Sequence, residues 1–558
     1  MSYAAYDAKP WLARYTSRQP HEITPDHPNA LAAFQDVVSA DPDAALIHYF
    51  DGVLTRQEVD QASSKLAFYL MEQGFVAGDR LALYAQSNPA FLITLLATWK
   101  AGGIVVTVNP MNKARELAYI LQDSGAKALV CLDELFDSTV KPVLDEDAAS
   151  LPIVITYSAF DGQKEDDARV LGTRTSIVLP DSVQPLQGIL DAPHQDKAMA
   201  LPELPASDDT ALLSYTSGTT GQPKGAMNTH GNILFVACVF RDWTNLTSQS
   251  VNLAIAPLFH ITGMVAHGVA ALLTGNRLIL THRFHPETVL EIIRRERPTF
   301  TIGAITAFIS MMNTGQIREG DFDCFTGLYS GGAPVSAAVM EQFKSLTGHY
   351  IHNAYGMTET ASATLMVPED VHAPVDDESG ALSIGVPVFN TTIRILREDG
   401  SAADVGEVGE LAVAGPQVMK GYWNRPQETA QAMRDGFLRS GDVGFMDTQG
   451  WVYLVDRKKD MINAGGYKVW PREVEDVMYG HPAVREVAIV GIPDSYRGET
   501  VKAYVSLKEG ASVTAEELVA YGKANMASYK YPRHVEFLSD LPKTNTGKIL
   551  RRSLKPSQ

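Results

Sequence analysis

A regular alternation between two hydrophobic patterns across residues 79–130 constrains the fold of this chain more than any other feature. Three short apolar runs are separated by two stretches with helical spacing, and Asn88-Pro89 opens the first of these stretches. Short apolar strands that alternate with helices are typical of a parallel β-sheet with crossover helices. We therefore predict an α/β fold here. An α+β mixture is the alternative that the pattern leaves open.

The last hundred residues differ from this pattern and indicate a small α+β unit. Pro471 suits the first turn of a helix. Two β-rich runs, 487–491 and 501–507, flank a polar turn, and Thr514 forms a capping box with Glu517 before another helix. The sequence therefore predicts helix, hairpin and helix in this order.

The borders of this unit are marked by composition. A run of charged residues at 456–460 precedes it and indicates either a domain boundary or a solvated turn. Residues 138–207 contain scattered prolines and aspartates, from which we expect loops and irregular strands.

The net charge and the cysteine content limit which binding partners and which cellular compartment we expect for this protein. The chain carries 47 Lys and Arg against 65 Asp and Glu, which gives a formal net charge of −18. Such a surface repels a phosphate backbone, so we predict no nucleic-acid partner. Cys131, Cys238 and Cys324 are far apart and form no C-x-x-C pair. This spacing argues against a disulfide scaffold or a cysteine metal site and fits a reducing cytosol.

One uncharged stretch is long enough to raise the question of a membrane span. Residues 243–276 contain no Asp, Glu, Lys or Arg, and roughly 20 apolar residues suffice to cross a bilayer. Pro257, His260 and Gly263 interrupt the stretch, and a lipid-facing helix would have to satisfy these breaks internally. We predict a buried segment of a soluble domain without an integral membrane span. Because residues 1–40 lack the layout of a secretory signal, we expect a cytoplasmic location.

The segment 215–225 is the strongest local signal for chemistry. It is rich in hydroxyl side chains and glycines and contains one lysine, Lys224. Glycines let backbone N–H groups approach an anion closely, hydroxyls add donors, and a lysine supplies charge to phosphate oxygens. No Gly-Lys-Ser/Thr sequence closes the segment, so it is not a Walker A loop. We predict a phosphate-binding loop, with a flexible surface turn as the alternative.

Four further segments carry side chains suited to nucleotide binding, although each alone is a weak signal. Ser330-Gly331-Gly332-Ala333-Pro334 is a turn of small residues that could admit a flat ring. Residues 353–360 combine an amide, an aromatic ring, hydroxyls and a carboxylate. Asp442 could accept hydrogen bonds from ribose hydroxyls. Lys548 follows a glycine near the end of the chain, where a lone lysine is more often a surface charge.

In this order and spacing, the segments resemble the adenylate-forming superfamily of acyl-CoA synthetases, luciferases and amino-acid adenylation domains. The resemblance extends from about residue 30 to residue 552, and residues 9–23 look most like bacterial fatty acid–CoA ligases. It implies an α/β fold with a large N-terminal domain, 1–456, made of two α/β subdomains and a β-barrel. A hinge at 457–459 and a small, mobile C-terminal α+β domain, 460–558, complete the implied fold.

The resemblance also implies roles at an ATP site. The 215–225 loop would hold the β- and γ-phosphates, Thr358 would touch the α-phosphate, and Glu359 would ligate Mg²⁺. Lys548 would enter the site for adenylation on a domain that rotates about Lys459. The implied ATP and AMP contacts are Thr216, Ser217, Gly218, Thr219, Thr220, Lys224, Gly332, Ala333, Asn353, Tyr355, Asp442 and Arg457.

The acyl and CoA sides of the site follow from the same resemblance. His260 would be the aromatic gate beside the adenylate carbonyl, and a buried core histidine is the alternative for this residue. The implied catalytic set is Lys548, Thr358, Glu359 and His260. The implied CoA-side loop contains Gly465, Gly466 and Lys468. The implied acyl pocket, small or apolar throughout, consists of Met264, Ile305, Thr306, Ser330 and Gly331.

Together these features predict an ATP-dependent, AMP-forming acid–CoA ligase. It would form an acyl-adenylate and then an acyl-CoA thioester, most readily from medium- or long-chain fatty acids. An aryl or substituted short-chain acid, an acyl-adenylating enzyme with a non-CoA acceptor, and a nucleotide-binding regulatory module are the alternatives. ATP, Mg²⁺ and coenzyme A are the expected cofactors and co-substrates. The chain would act as a monomer or a homodimer.

Overall fold

Four β-sheets organise the chain: two large, mostly parallel sheets, a five-stranded antiparallel sheet and a five-stranded mixed sheet near the C-terminus. The two large sheets share one apolar core, and the C-terminal sheet has a core of its own. The computed structural model describes residues 4–146, 151–174, 178–192, 200–216, 222–332, 335–377, 381–457, 460–464, 467–494, 497–543 and 549–555.

The alternating segment lies in the middle of an eight-stranded sheet, as the sequence predicts. Its three apolar runs are parallel neighbours, joined by the helices Pro89–Lys100 and Ala114–Ser124. The strand order is Gly421–Tyr422, Lys224–Thr229, Thr210–Thr216, Ile104–Val108, Arg80–Tyr84, Ala128–Leu132, Ile153–Tyr157 and Val183–Pro185.

The expectation of irregular structure over 138–207 is wrong in part. Ile153–Tyr157 is a buried, regular strand that pairs in parallel with Ala128–Leu132, and Val183–Pro185 extends the sheet. A strand buried on both faces has a continuous apolar run instead of an alternating one, so the scattered polar residues around it concealed it. The short helices of this region are Lys141–Asp145, Ala168–Leu171 and Leu186–Asp191.

The second large sheet has nine strands, of which six central neighbours run parallel. Its order is Val386–Pro387, Ser362–Met366, His352–Met357, Gly327–Gly331, Phe300–Gly303, Val251–Leu253, Arg277–Leu280, Ala45–Tyr49 and Gly52–Thr55. The main helices beside the two sheets are Ala30–Ala40, Arg56–Glu72, His230–Trp243, Ala270–Thr274, Pro286–Glu296, Ile305–Asn313 and Ala337–Thr347.

Most of the uncharged stretch 243–276 is buried, as predicted, and its exposed residues are confined to 245–249. It forms the strand Val251–Leu253, the short helix Ile261–Gly263, a π-helical turn over Met264–Val269 and the helix Ala270–Thr274. Across the part of the chain that the structure describes, no helix combines the length and the apolar character needed to cross a bilayer.

The two remaining sheets follow the large domain along the chain. The antiparallel sheet, in the place of the expected β-barrel, contains Thr392–Leu396, Gly409–Ala414, Met433–Arg434, Phe437–Met446 and Val452–Arg457. The C-terminal sheet contains Ile462–Ala464, Tyr467–Val469, Val484–Asp494, Gly498–Leu507 and His534–Phe537, with the helices Pro471–Tyr479 and Ala515–Asn525.

The sequence predictions for the C-terminal unit are confirmed in the structure. A long antiparallel hairpin stands where the two β-rich runs were found. Thr514 and Glu517 form the expected capping box. The helix that starts at Pro471 packs on the hairpin through Val474 and Met478. The α/β fold class is thus confirmed, whereas the domain limits 1–456, 457–459 and 460–558 stay predictions.

Candidate active site

The predicted ring-binding and metal-binding segments meet at one edge of the nine-stranded sheet. Phe300–Gly303, Gly327–Gly331 and His352–Met357 are parallel neighbours, so their carboxyl ends lie side by side. Ligand sites of open α/β sheets form outside the carboxyl ends of the strands. A small cleft, partly open to solvent, lies there; its lining is Thr262, Ile302, Gly331, Gly332, Ala354, Tyr355, Gly356, Ser362 and Ala363.

Two glycines of this cleft are required by close backbone contacts. A Cβ atom on Gly331 would lie 2.7 Å from the carbonyl oxygen of Ala354. A Cβ atom on Gly356 would lie 1.6 Å from the carbonyl oxygen of Ser362. Because real Cβ atoms do not approach so closely, neither position tolerates a side chain.

A tight turn follows the strand that contains Tyr355. Ala361 and Ser362 adopt positive φ angles of 49° and 105°, which non-glycine residues rarely do. The buried hydroxyl of Thr360 holds this turn, since it donates to the carbonyl of Ser362 and accepts from the N–H of Met357. Such strain persists only where the surroundings fix it, and it is frequent at functional sites.

The base of the predicted phosphate loop is an antiparallel strand pair. Thr216 and Lys224 are directly opposite each other in this pair. The hydroxyl of Tyr215 donates a 2.8 Å hydrogen bond to Asp123, which also forms an ion pair with Arg425. The strand that leads into the predicted loop is therefore tied to a charged pair. Ser217, Gly218, Thr219 and Thr220 lie outside the described residues.

Glu359 lies beside this loop with its side chain buried. It belongs to the short 3₁₀ turn Thr358–Thr360 and has 8% of its surface exposed. The hydroxyl of Tyr422 donates a 2.7 Å hydrogen bond to Oε1 of Glu359. The carbonyl of Thr358 accepts a 3.0 Å bond from Nδ2 of Asn228. A buried carboxylate near the base of the predicted phosphate loop could hold a divalent cation.

The type of cation site follows from what surrounds Glu359. Within the described residues, no group of three or more His, Cys, Asp and Glu side chains could hold a metal ion. Mg²⁺ is usually bound by one or two carboxylates together with substrate phosphates and water. The single buried carboxylate therefore fits Mg²⁺ that arrives with a nucleotide, and it does not fit a closed structural metal site.

Asp442, the predicted ribose ligand, is joined to Tyr355 across two sheets. The hydroxyl of Tyr355 donates a 2.6 Å hydrogen bond to Oδ2 of Asp442. Asp442 also lies directly opposite Arg457 on the neighbouring strand; the side chain of Arg457 is outside the described part. The backbone N–H of Asp442 donates to the hydroxyl of Ser440. Strand pairing thus brings both predicted ribose ligands to one position.

The predicted acyl-side residues are divided between the cleft and the core. His260 is half-buried and caps the short helix Ile261–Gly263, with its Nδ1 3.3 Å from the N–H of Thr262. Met264, Ile305 and Ser330 are buried in the core, Thr306 and Gly331 are half-buried, and only Gly331 of this group lines the cleft. Within the described residues, the buried hydroxyl of Ser330 has no hydrogen-bond partner.

The predicted adenine contacts are also divided between the cleft and the protein interior. Gly332 lines the cleft at a positive φ of 77°. Asn353 is buried, and its Nδ2 donates a 2.9 Å hydrogen bond to the carbonyl of Ser383. Ala333 lies outside the described residues.

In the C-terminal unit, the residues that flank the predicted lysine loop are held by a strand bridge and an ion pair. Lys543 and Ile549 pair across the base of the loop, and Arg551 binds the buried carboxylate of Glu475. Lys459, Gly465, Gly466 and Lys548 are outside the described residues, and for Lys468 only the backbone, in Tyr467–Val469, is described. Arg472 donates to the carbonyl of Leu454 at 3.3 Å and so ties the unit to the preceding sheet.

Sequence reasoning missed Tyr422 and Ser362. The hydroxyls of Thr262 and Ser362 are 3.3 Å apart in the cleft wall. Tyr422 stands in the string Tyr422-Trp423-Asn424-Arg425-Pro426, whose aromatic rings, arginine and proline were the available signal.

Comparison with known protein families decides which enzymes share this arrangement. A model of the AMP-binding enzyme family matches residues 34–423, and a model of the AMP-binding enzyme C-terminal domain matches residues 473–548. The chain belongs to the AMP-binding enzyme family. The predicted resemblance to adenylate-forming acyl-CoA synthetases is confirmed.

Named relatives extend this result over nearly the whole chain. A long-chain-fatty-acid–CoA ligase of Bacillus subtilis (strain 168) is 36% identical, over 98% of this chain and 97% of the relative. A feruloyl-CoA synthase of an Amycolatopsis species is 35% identical, over 92% and 96%. The ATP-bound crystal structure of MatB from Rhodopseudomonas palustris has a TM-score of 0.81 at 27% identity, covering 94% of this chain and 98% of MatB. These relatives bear out the prediction of an AMP-forming acid–CoA ligase.

Proposed function

We propose that this chain activates a medium- or long-chain fatty acid with ATP and Mg²⁺ and transfers the acyl group to coenzyme A. The observation that carries the proposal is the convergence of Glu359, the Tyr355–Asp442 pair and the base of the 215–225 loop on one region. The relatives named as long-chain-fatty-acid–CoA ligases support the acyl class. The feruloyl-CoA synthase relative makes an aryl acid the second candidate.

In the first half-reaction, an oxygen of the substrate carboxylate forms a bond to the α-phosphorus of ATP while the bond to pyrophosphate breaks. A carboxylic acid is ionised at neutral pH, so no general base is required. Since both reactants are anions, catalysis consists of positioning and charge neutralisation. Lys224 and Lys548 would supply positive charge, and Asp442 would orient the ribose. Mg²⁺ held by Glu359 would neutralise phosphate charge further.

In the second half-reaction, the thiol of coenzyme A would attack the adenylate carbonyl and AMP would leave. The cysteines of the protein support an external thiol. Cys131 and Cys238 are buried, and burial raises the pKa of both thiols. Cys324 precedes the strand Gly327–Gly331 and so lies at the sheet edge opposite the site. None of the three is placed to form a protein thioester.

The decisive experiment measures AMP and pyrophosphate release over a panel of short, medium, long and aromatic acids, with and without coenzyme A. CoA-dependent release with medium or long fatty acids is the expected result. Preference for aromatic acids would replace the fatty-acid assignment by the second candidate. Pyrophosphate exchange without a CoA-dependent product would indicate that the acyl group is transferred to an acceptor other than coenzyme A.

A pair of variants ties this activity to the site. The Glu359→Gln variant should release no AMP or pyrophosphate with any acid in the panel. The Glu407→Gln variant should retain AMP and pyrophosphate release, because Glu407 lies half-buried in the connection before the strand Gly409–Ala414 and pairs with Arg397. The oligomeric state, monomer or homodimer, stays a prediction, and light scattering of the purified protein would determine it.

A further inference from the structure

Tyr422 contacts two oppositely charged residues of the proposed ATP site. Its hydroxyl donates a 2.7 Å hydrogen bond to Oε1 of Glu359. The ammonium nitrogen of Lys224 lies 5.1 Å from the centroid of its ring, which is within cation–π range. One side chain therefore contacts both the proposed metal ligand and the proposed phosphate ligand.

The backbone of Tyr422 is fixed independently of these contacts. Gly421 and Tyr422 pair antiparallel with Met227 and Ala226, on the strand that begins at Lys224. The N–H of Trp423 donates a 2.8 Å bond to the carbonyl of Gly225. The ring is thus placed by a strand pair next to the loop and does not depend on a bound nucleotide for its position.

The hydroxyl of Tyr422 is suited to act as a permanent hydrogen-bond donor. A tyrosine hydroxyl ordinarily has a pKa of about 10, so at neutral pH the hydroxyl of Tyr422 carries the proton that it donates to Glu359. A hydrogen bond to a buried carboxylate restricts the rotation of that carboxylate and occupies one acceptor position of its oxygens. Residues that orient a metal ligand in this way influence metal affinity although they do not touch the metal.

We propose that Tyr422 is a positioning residue that orients the Glu359 carboxylate for the divalent cation through its hydroxyl and holds the Lys224 ammonium through its ring. This inference rests on the proposed function, since it assumes that a metal–nucleotide complex binds beside Glu359. The two contacts are separable, because a phenylalanine retains the ring and loses only the hydroxyl. A leucine loses both.

The test measures binding of α,β-methylene-ATP, which cannot release pyrophosphate, by titration calorimetry with Mg²⁺ and with EDTA. Tyr422→Phe should weaken binding in Mg²⁺ roughly 10-fold, the lower end of the effect of losing a partner of a metal ligand. Its binding in EDTA should stay within about twofold of the wild type. Tyr422→Leu should in addition weaken binding in EDTA by about 2- to 5-fold, since the ring contact with Lys224 is lost.

Two further variants define the control. Tyr453→Phe removes a comparable tyrosine–carboxylate contact, 3.3 Å to Asp447 and remote from Glu359, and should leave both affinities unchanged. Tyr422→Phe combined with Glu359→Gln should bind no more weakly than Glu359→Gln alone, because the two residues act through one interaction.

The outcomes separate this inference from the proposed function. The positioning role would be overturned if Tyr422→Phe lost affinity for the analogue equally in Mg²⁺ and in EDTA. It would also be overturned if the affinity in Mg²⁺ fell by less than twofold. Additive losses in the double variant would overturn it as well. If the wild type itself binds the analogue no better with Mg²⁺ than with EDTA, the proposed function fails first.

Discussion

The hydroxyl of Tyr355 donates a 2.6 Å hydrogen bond to the carboxylate of Asp442, although the two residues are 87 positions apart and belong to different sheets. Tyr355 lies at the carboxyl end of its parallel strand, and Asp442 lies in the middle of the antiparallel strand Phe437–Met446. The bond joins the cleft to the neighbouring sheet. It also fixes the carboxylate before any ligand binds, which is the preorganisation that a binding site requires.

We expect Asp442→Ala to raise the KM for ATP about 10- to 100-fold. Hydrogen bonds to a charged group contribute about 1.5–3 kcal/mol, and about 1.4 kcal/mol corresponds to a factor of ten. Tyr355→Phe should raise KM less, because the ring and the carboxylate both remain. Steady-state kinetics at saturating acid and CoA measure the two effects.

Asp404→Ala serves as the control for this prediction. Asp404 is an exposed residue in the connection between the strands Thr392–Leu396 and Gly409–Ala414, and its carboxylate pairs with Arg397. An unchanged KM for ATP in Asp442→Ala, or an equal change in Asp404→Ala, would remove Asp442 from the ribose site.

We expect Lys548→Ala to slow acyl-adenylate formation by about 100-fold or more, comparable with the loss of one preorganised electrostatic donor. Transfer of the acyl group from separately prepared acyl-AMP to CoA should be affected much less. Single-turnover measurements of the two half-reactions separate these effects. Lys555→Ala, whose lysine is exposed and pairs with Asp460, is the control. Intact adenylation in Lys548→Ala would exclude this lysine from the chemistry.

Lys459→Pro should impair thioester formation more than adenylation. Proline fixes φ near about −65° and therefore restricts rotation about the predicted hinge. Lys459→Ala, which keeps the backbone free, should impair neither step to the same extent. The same single-turnover assays compare both variants, and equal losses in the two half-reactions would indicate a local structural defect instead of a hinge.

The sequence predicted those parts of the fold in which a local pattern decides the structure. The alternation over 79–130 and the capping box of Thr514 depend on neighbours in sequence, and both are confirmed. The family resemblance located Glu359 and Asp442. The partners of these residues, Tyr422 and Tyr355, are brought to them by pairing between distant segments. No local pattern encodes such pairing, and the buried strand Ile153–Tyr157 was missed because its flanks are polar.

We expect Glu369 to make stability dependent on pH between about 4.5 and 7. Burial raises the pKa of this carboxyl to about 7, although Arg18 at 3.5 Å lowers it, and its Oε1 has no hydrogen-bond partner among the described residues. The folded protein therefore binds more protons than the unfolded chain in this range. The favourable contribution of the protonated carboxyl is present below about pH 4.5 and is lost as the pH rises through about 7.

Glu369→Gln should remove this dependence. The variant should gain stability relative to the wild type from pH 5 to pH 8, by about 1–2 kcal/mol after allowance for partial exposure. Thermal unfolding at pH 5, 6, 7 and 8 measures the difference. Asp370→Asn, at an exposed neighbouring carboxylate, should show no such trend. A constant or decreasing difference between Glu369→Gln and the wild type would contradict the prediction.

Lys100 is a buried cation with several hydrogen-bond partners, and we expect its partner Asp60 to contribute strongly to stability. The ammonium is bound by Oδ1 of Asp60 at 2.7 Å and by the hydroxyls of Ser63 and Ser64 at 2.9 Å each, and 7% of the side chain is exposed. Removal of one partner of a buried pair leaves an uncompensated charge and costs about 3 kcal/mol.

Asp60→Ala should therefore lower the unfolding temperature by about 6 °C, on a scale of roughly 2 °C per kcal/mol for a large domain. Asp60→Ala combined with Lys100→Met should be less destabilised than Asp60→Ala alone, because no buried charge remains. Asp145→Ala, which breaks the exposed pair with Lys141, should change the unfolding temperature by about 1 °C or less. Thermal unfolding of the three variants tests this order. If Asp60→Ala resembles Asp145→Ala, the Lys100 pair behaves as a surface ion pair.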